Sequence, residues 1–222
     1  MPTEKTKQKV LNHFINVMGE VNYTEIQFSD IAQRCEMSLA EVHTCYRSRD
    51  ELLSAFLHKV DQEVLANIDS DMAEEPARER LFDVLMTRLD IMEKYRKAFA
   101  NICREARCEP FLACRLMSLQ SSSMFWMMAG AGIEVSGFRR QAMARALMVG
   151  FNRVVRQWLK EEDGNNAKSM AEMDRMLREG GVWLSRADKL EKQIGPLAKR
   201  VDCFVRQSPL AAFKRCRRSR TA

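Results

Sequence analysis

The side chains able to do chemistry are few and scattered in this sequence. Three histidines, His13, His43 and His58, stand apart from any nucleophile or carboxylate arrangement that general-base catalysis would need. Seven cysteines, at positions 35, 45, 103, 108, 114, 203 and 216, form no Cys-x-x-Cys pair and no Cys/His zinc spacing. An odd set of thiols without such a pattern reads as reduced cysteines in a cytosol. Adjacent carboxylates, Glu74 with Glu75 and Glu161 with Glu162, sit at polar breaks and read as solvated helix ends, not acid–base dyads. There is no phosphate loop, dinucleotide fingerprint or nucleophile–His–Asp triad in the sequence. No catalytic residue, metal or cofactor is expected. What remains is charge, and its position.

The 222 residues carry 36 Lys+Arg against 30 Asp+Glu, a formal net charge of +6. The total suggests a polyanionic partner, but it is unevenly placed. Residues 1–60 are net −1, residues 61–188 net −1, and residues 189–222 net +8. In that last stretch Leu190, Ile194, Leu197, Val201 and Phe204 recur at helical spacing among Lys192, Lys199, Arg200 and Arg206, and KRCRRSR (214–220) follows. A basic amphipathic segment of this kind suits either an anionic membrane surface or the DNA backbone. With 46% hydrophobic and 30% charged residues over its whole length, the chain has the composition of an ordinary globular protein. MPTEKTKQKV is too polar for a secretory signal. The longest uncharged stretch, Leu116 to Ile133, contains Gln120 and four serines and reads as a buried helix, not a membrane span. The expected location is cytoplasmic.

Helices must position whatever function there is, because the apolar residues repeat at helical and not strand spacing throughout. Val10, Leu11, Phe14, Ile15 and Met18 mark a first helix ending near Gly19. Ser29 is expected to cap a short helix containing Ile31, Ala32 and Cys35. Ser38 opens another as a capping box, S-L-A-E, and Ser48 opens a long one with a second box, S-R-D-E. Leu52, Phe56, Val60, Val64 and Ile68 form the stripe of that long helix. Pro76 suits the first turn of the next, whose face is Leu81, Leu85, Leu89, Met92 and Phe99. After Pro110 and the breaker GAG at 130–132, one helix is expected over Phe138–Leu159 and another around Met170, Met173 and Leu177. The class is all-α, with about eight to ten helices.

Two short helices joined by a tight turn, between a first helix and a long fourth one, form a helix-turn-helix, the second short helix of which enters a DNA major groove. The stretch FSDIAQRCEMSLAEVHTCYRSRDELLSAF (28–56) resembles the N-terminal domain of TetR-type transcriptional regulators, with the pattern I-A-x-x-A-G-V-S-x-x-T-L-Y-x-x-F-x-S-K-E-x-L. Ile31, Ala32, Ser38, Ser48 and Leu52 match it; Val42 stands at the core Leu, Tyr46 at the Phe, and Arg49–Asp50 at K-E. The turn glycine is replaced by Glu36, and the recognition-helix tyrosine by His43. A non-glycine at a left-handed position costs about 1 kcal/mol. By this resemblance base reading falls to Ser38, Leu39, His43 and Thr44, with Tyr46 alongside. Phosphate contacts fall to Arg34, Arg47, Arg49, Lys5, Lys7 and Lys9. No Lys or Arg occurs in residues 38–46.

The resemblance implies an all-α, TetR-like architecture: an N-terminal three-helix helix-turn-helix domain (1–48), a larger helical dimerisation and ligand domain (49–188), then a basic extension (189–222). It implies a homodimer on a double-stranded DNA operator, a repressor released by an apolar small-molecule effector. Phe99, Phe111, Met117, Met124, Phe125, Met128 and Phe151 are the expected ligand residues, since fifteen methionines suit an adaptable apolar pocket. Leu147, Val154, Trp158, Met170, Met173 and Leu177 are the expected dimer stripe. Residues 78–99 and 156–177 are also similar to the TetR-like lipid-binding accessory protein of ubiquinone biosynthesis. That likeness implies an alternative, a membrane accessory protein that binds isoprenoid lipid and not DNA.

Overall fold

The computed structural model describes residues 2–161 and 166–180. The chain divides after Leu177, and the packing described below is that of the part before this point. The expected basic extension, 189–222, lies outside the described residues. All regular structure among the described residues is helical, in the order α1 (Glu4–Glu20), α2 (Phe28–Cys35), α3 (Leu39–Cys45), α4 (Arg49–Ala66), α5 (Ala77–Glu93), α6 (Arg96–Glu105), α7 (Pro110–Gly130) and α8 (Gly137–Trp158). Residues 167–180 form α9. Short 3-10 turns at Tyr23–Glu25 and Ser70–Glu74 join the early helices. No described helix is long and apolar enough to cross a membrane.

Local chemistry sets most of the boundaries. The Thr3 hydroxyl accepts from the Thr6 N–H at 3.2 Å and starts α1. Pro110 opens α7 at a position where its missing N–H matters least. Three details differ from the expectations. Ser29 is no cap: the cap lies two residues earlier, at Gln27, and Phe28, the first residue of α2, packs half-buried onto the core. Ser48 does accept from the Glu51 N–H, but the Glu51 carboxylate accepts from the Arg47 N–H at 2.7 Å and not from Ser48. Pro76 precedes α5 as its cap residue and is not inside its first turn.

The helix expected to run from Leu81 through Phe99 is two helices. The chain tightens at Lys94 and Tyr95, whose N–H groups bond three residues back, at 3.3 and 2.9 Å. No Gly or Pro marks the break. Tyr95 turns inward instead: its hydroxyl donates to Glu63 at 2.9 Å and its ring meets Phe56 edge-on at 5.3 Å. Burial, reinforced by that bond, pushes the Tyr95 phenol up to about 12. Phe99 therefore belongs to α6.

One apolar core runs from α1 to α9 without a gap at residue 48. Helix α1 packs along α6, α4 lies against α5 and α7, and α7 pairs with α8. An aromatic run, Phe56 to Phe99 at 5.2 Å and Phe99 to Trp158 at 6.5 Å, joins α4, α6 and α8. The Trp158 indole donates to Glu93 at 2.8 Å, so its one polar atom is satisfied in the interior. At Gly150 the approach of α9 is close: a β-carbon there would stand 2.4 Å from the Met176 sulfur.

A polar cluster interrupts this core. Asp61 of α4, Arg88 of α5 and Ser123 of α7 are all buried. Arg88 donates to Asp61 Oδ1, and the Ser123 hydroxyl donates to Asp61 Oδ2 at 2.7 Å. The guanidinium also sits 5.8 Å from the centre of the Phe151 ring, while its Nε has no partner. Three helices are thereby tied to one carboxylate.

Candidate nucleic-acid interface

Helices α2 and α3 are joined by three residues, Glu36, Met37 and Ser38. Glu36 lies at φ 53°, ψ 44°, the left-handed conformation, so the expected strain at the glycine position is present. The reversal is closed by the Glu36 N–H on Gln33 O at 3.1 Å and the Met37 N–H on Ala32 O at 3.0 Å. Ile31, Ala32, Cys35, Val42 and Cys45 are buried between the two helices and α1. Glu36→Gly relieves the left-handed strain against the higher backbone entropy of glycine, a net gain of about 0.5–1 kcal/mol. Urea denaturation checks this: the midpoint should rise with an unchanged slope.

Ser38 caps α3 as a complete capping box. Its hydroxyl accepts from the Glu41 N–H at 3.3 Å and donates to the Glu41 carboxylate at 2.8 Å; the Ser38 N–H donates to the same oxygen at 2.8 Å. The bond from the Ser38 backbone, then that from its hydroxyl, holds the Glu41 carboxyl below the usual range. The Ser38 hydroxyl and Glu41 Oε2 are thus committed to the cap, and Glu41 Oε1 is not. Thr44 donates its hydroxyl to Glu41 O at 2.7 Å. Leu39, Ala40, Glu41, His43 and Thr44 are the exposed residues of α3. Tyr46, placed with the DNA contacts by resemblance, is buried, and burial pushes its phenol upward. Its ring is core, as the apolar stripe of α3 requires. Leu39, His43, Tyr46, Arg47 and Phe28 border a shallow groove of about 190 Å³.

Half of the six expected phosphate contacts are engaged inside the molecule. Arg34 forms a forked pair with Glu20, at 3.0 and 2.5 Å. That bond lowers the Glu20 carboxyl and raises the Arg34 guanidinium. Lys9 donates to Cys35 O at 2.7 Å and fastens α1 to the end of α2. Arg49 donates to Tyr23 O at 3.0 Å and Thr24 O at 2.5 Å, with its guanidinium 5.5 Å from the Tyr23 ring centre. The same turn is gripped from the other side by Glu105 of α6, which accepts from the N–H groups of Tyr23 and Thr24 and from the Thr24 hydroxyl. Lys5, Lys7 and Arg47 remain, with no side-chain bond among the described residues.

The expected ligand residues do not gather around an opening. Phe99, Met124, Met128 and Phe151 are buried in the packed core. Phe125 is half-buried beneath the Arg140 guanidinium, 4.7 Å from its ring centre. Phe111 is 90% exposed and Met117 48% exposed, so α7 carries them on its outer face. A half-open notch of about 330 Å³ lies elsewhere, where the end of α4 meets α5 and the end of α7, bordered by Ile68, Met72, Arg80, Asp83, Val84 and Ala131. Arg80 is held there on Ala131 O at 2.8 Å and Glu75 O at 2.6 Å. Burial first, then the nearby Asp69 charge, raises the Asp83 carboxyl.

The expected dimer stripe is mostly interior. Leu147, Val154, Trp158, Met173 and Leu177 are buried within the single chain, and only Met170 is exposed, at 43%. The stripe was a true helical face, but α8 and α9 turn it onto their own protomer. The exposed apolar residues of these helices are Phe138, Val149 and Met170. Asp61, Arg88, Ser123 and Glu105 were not singled out from the sequence. For Arg88 one signal exists: a charge set between Leu85 and Leu89 on the apolar face of α5. No group of three or more His, Cys, Asp or Glu side chains among the described residues could hold a metal ion.

No family model matches the chain, and no curated protein does. Solved structures do. A TetR transcriptional regulator from Nitrosomonas europaea aligns with TM-score 0.64 at 17% identity, over 80% of this chain and 99% of that one. A TetR transcriptional regulator from a Rhodococcus species aligns with TM-score 0.59 at 14% identity, over 80% and 96%. A TetR-family transcriptional regulator from Streptomyces coelicolor aligns with TM-score 0.56 at 14% identity, over 96% of both chains. Likeness at this identity establishes the fold, and the fold is the TetR type.

Proposed function

We propose that this chain is a homodimeric, DNA-binding transcriptional regulator of the TetR type, a repressor released by a small-molecule effector, and not an enzyme. The observation that carries the reading is the unit α2–turn–α3. A left-handed turn and a full capping box hold α3 rigid, and Leu39, Ala40, His43 and Thr44 stand exposed on it. A helix held in this way presents a fixed set of side chains to a major groove. The structural neighbours bear regulator names, which supports the same reading. Two copies would meet through the exposed faces of α8 and α9, at Phe138, Val149 and Met170, and present two recognition helices to successive half-sites.

The effector would enter at the notch where α4 ends. Helix α4 runs from the helix-turn-helix to that notch, so a ligand seated against Ile68 and Val84 acts on the helix that carries the DNA unit. The direct test is a mobility-shift titration at low salt on the DNA flanking the chain's own gene. A shift that survives competitor DNA of unrelated sequence is expected. Equal competition by any sequence would overturn the proposal.

A further inference from the structure

The geometry points to recognition of thymine methyl groups: α3 reads an A·T-rich half-site through Leu39, Ala40 and the apolar groove beside them. This rests on the DNA-binding reading above and names what that site would read. The hydrogen-bonding side chains of α3 are largely engaged already. Ser38 has its hydroxyl hydrogen on Glu41 and its lone pair on the Glu41 N–H. Both donors from Ser38 fall on Glu41 Oε2, which leaves Oε1 as the one acceptor of that carboxylate without a bond among the described residues. Thr44 directs its hydroxyl hydrogen to Glu41 O, which leaves it a methyl group and acceptor lone pairs. No Arg or Lys lies between residues 38 and 46, so the bidentate contact to guanine, the commonest specific base contact, has no donor on this helix. Among the exposed residues of α3, only His43 has an uncommitted side-chain donor.

The exposed surface that remains is apolar. Leu39 is 56% exposed at the first position of α3, with Ala40 exposed beside it. The half-buried Phe28 and an edge of the buried Tyr46 floor the groove that Leu39, His43 and Arg47 border. In the major groove the thymine C5-methyl is the apolar mark that base edges present. A helix whose outward face offers Leu, Ala and a Thr methyl, with one imidazole and the unbonded Oε1 of Glu41 as its only hydrogen-bonding groups left over besides the Thr44 lone pairs, therefore discriminates mainly by methyl contact.

The test is selection of the full-length protein on random duplexes at low salt, followed by replacement of each enriched thymine with deoxyuridine, which removes the methyl alone. Enrichment of thymine within each half-site is expected, with about a fourfold loss of affinity for each contacted thymine replaced. In Leu39→Ala the loss at the position facing Leu39 should vanish; because that side chain is exposed, the variant should melt as the parent does. Enriched half-sites built on G·C, or equal affinity for thymine and deoxyuridine in the parent protein, would overturn the inference and leave DNA binding standing. No enrichment of any sequence would overturn both.

Discussion

Asp61→Ala should destabilise the protein by about 3–5 kcal/mol. Removal of the carboxylate leaves the Arg88 guanidinium buried, with no anion against it. The Ser123 hydroxyl loses its acceptor at the same time, and three helices lose their common anchor. Urea denaturation should show the midpoint fall by roughly 1–2.5 M, given a slope of about 2–3 kcal/mol/M for a chain of this size. The double variant Asp61→Leu with Arg88→Met separates the lost pair from lost packing. Apolar residues of similar volume remove both charges, and such replacements are often neutral or stabilising. The double variant should therefore recover most of the stability. A single variant that loses less than about 1 kcal/mol would show that Arg88 reaches water when its partner is gone.

The second large effect is on salt. Of the six expected phosphate contacts three are held internally; Lys5, Lys7 and Arg47 have no side-chain bond among the described residues, and the proposed dimer would carry six such cations. Each neutralised phosphate contributes about −0.9 to the slope of log affinity against log salt. Six contacts alone weaken binding about a thousandfold between 50 and 200 mM salt. All six expected cations per protomer, acting together, would weaken it about a millionfold over the same range. Point variants identify the contributors even if the basic extension adds contacts of its own. Arg47→Ala should make the slope shallower by about two in a dimer. Arg49→Gln should leave the slope unchanged, because Arg49 is committed to Tyr23 O and Thr24 O. Fluorescence anisotropy across a salt series measures both. Equal changes in the two variants would mean that Arg49 leaves its turn to meet DNA.

The comparison between Arg47 and Arg49 also marks where the sequence stops being informative. Ser38 and Glu41 are three residues apart, so their cap is a local event and is written in the local pattern. The strained Glu36 is legible for the same reason. Arg49 lies 26 residues from Tyr23, and nothing local records that the turn at Tyr23 comes to rest against it. Asp61, Arg88 and Ser123 are likewise brought together only when α4, α5 and α7 pack. The dimer stripe was read correctly as an apolar face, but periodicity gives a face without its partner. For Trp158 the partners were Phe99, Glu93 and Arg96 of the same chain. The division of α5 from α6 escaped because it arises from the inward turn of Tyr95, a tertiary preference with no breaker residue. A cluster of methionines marks apolar side chains without marking a void, and the notch described above lies at helix ends, where packing is less complete.

The interior placement of Val154, Trp158 and Met173 bears on the order of assembly. A protein whose largest side chains wait for a second subunit has no folded monomer, and its stability rises with its concentration. Here those side chains are already covered when one chain has folded. If the chain forms the proposed dimer, these side chains would need nothing from the second subunit to be covered. Association through Phe138, Val149 and Met170 would be an equilibrium between folded partners, so that dilution separates subunits without unfolding them.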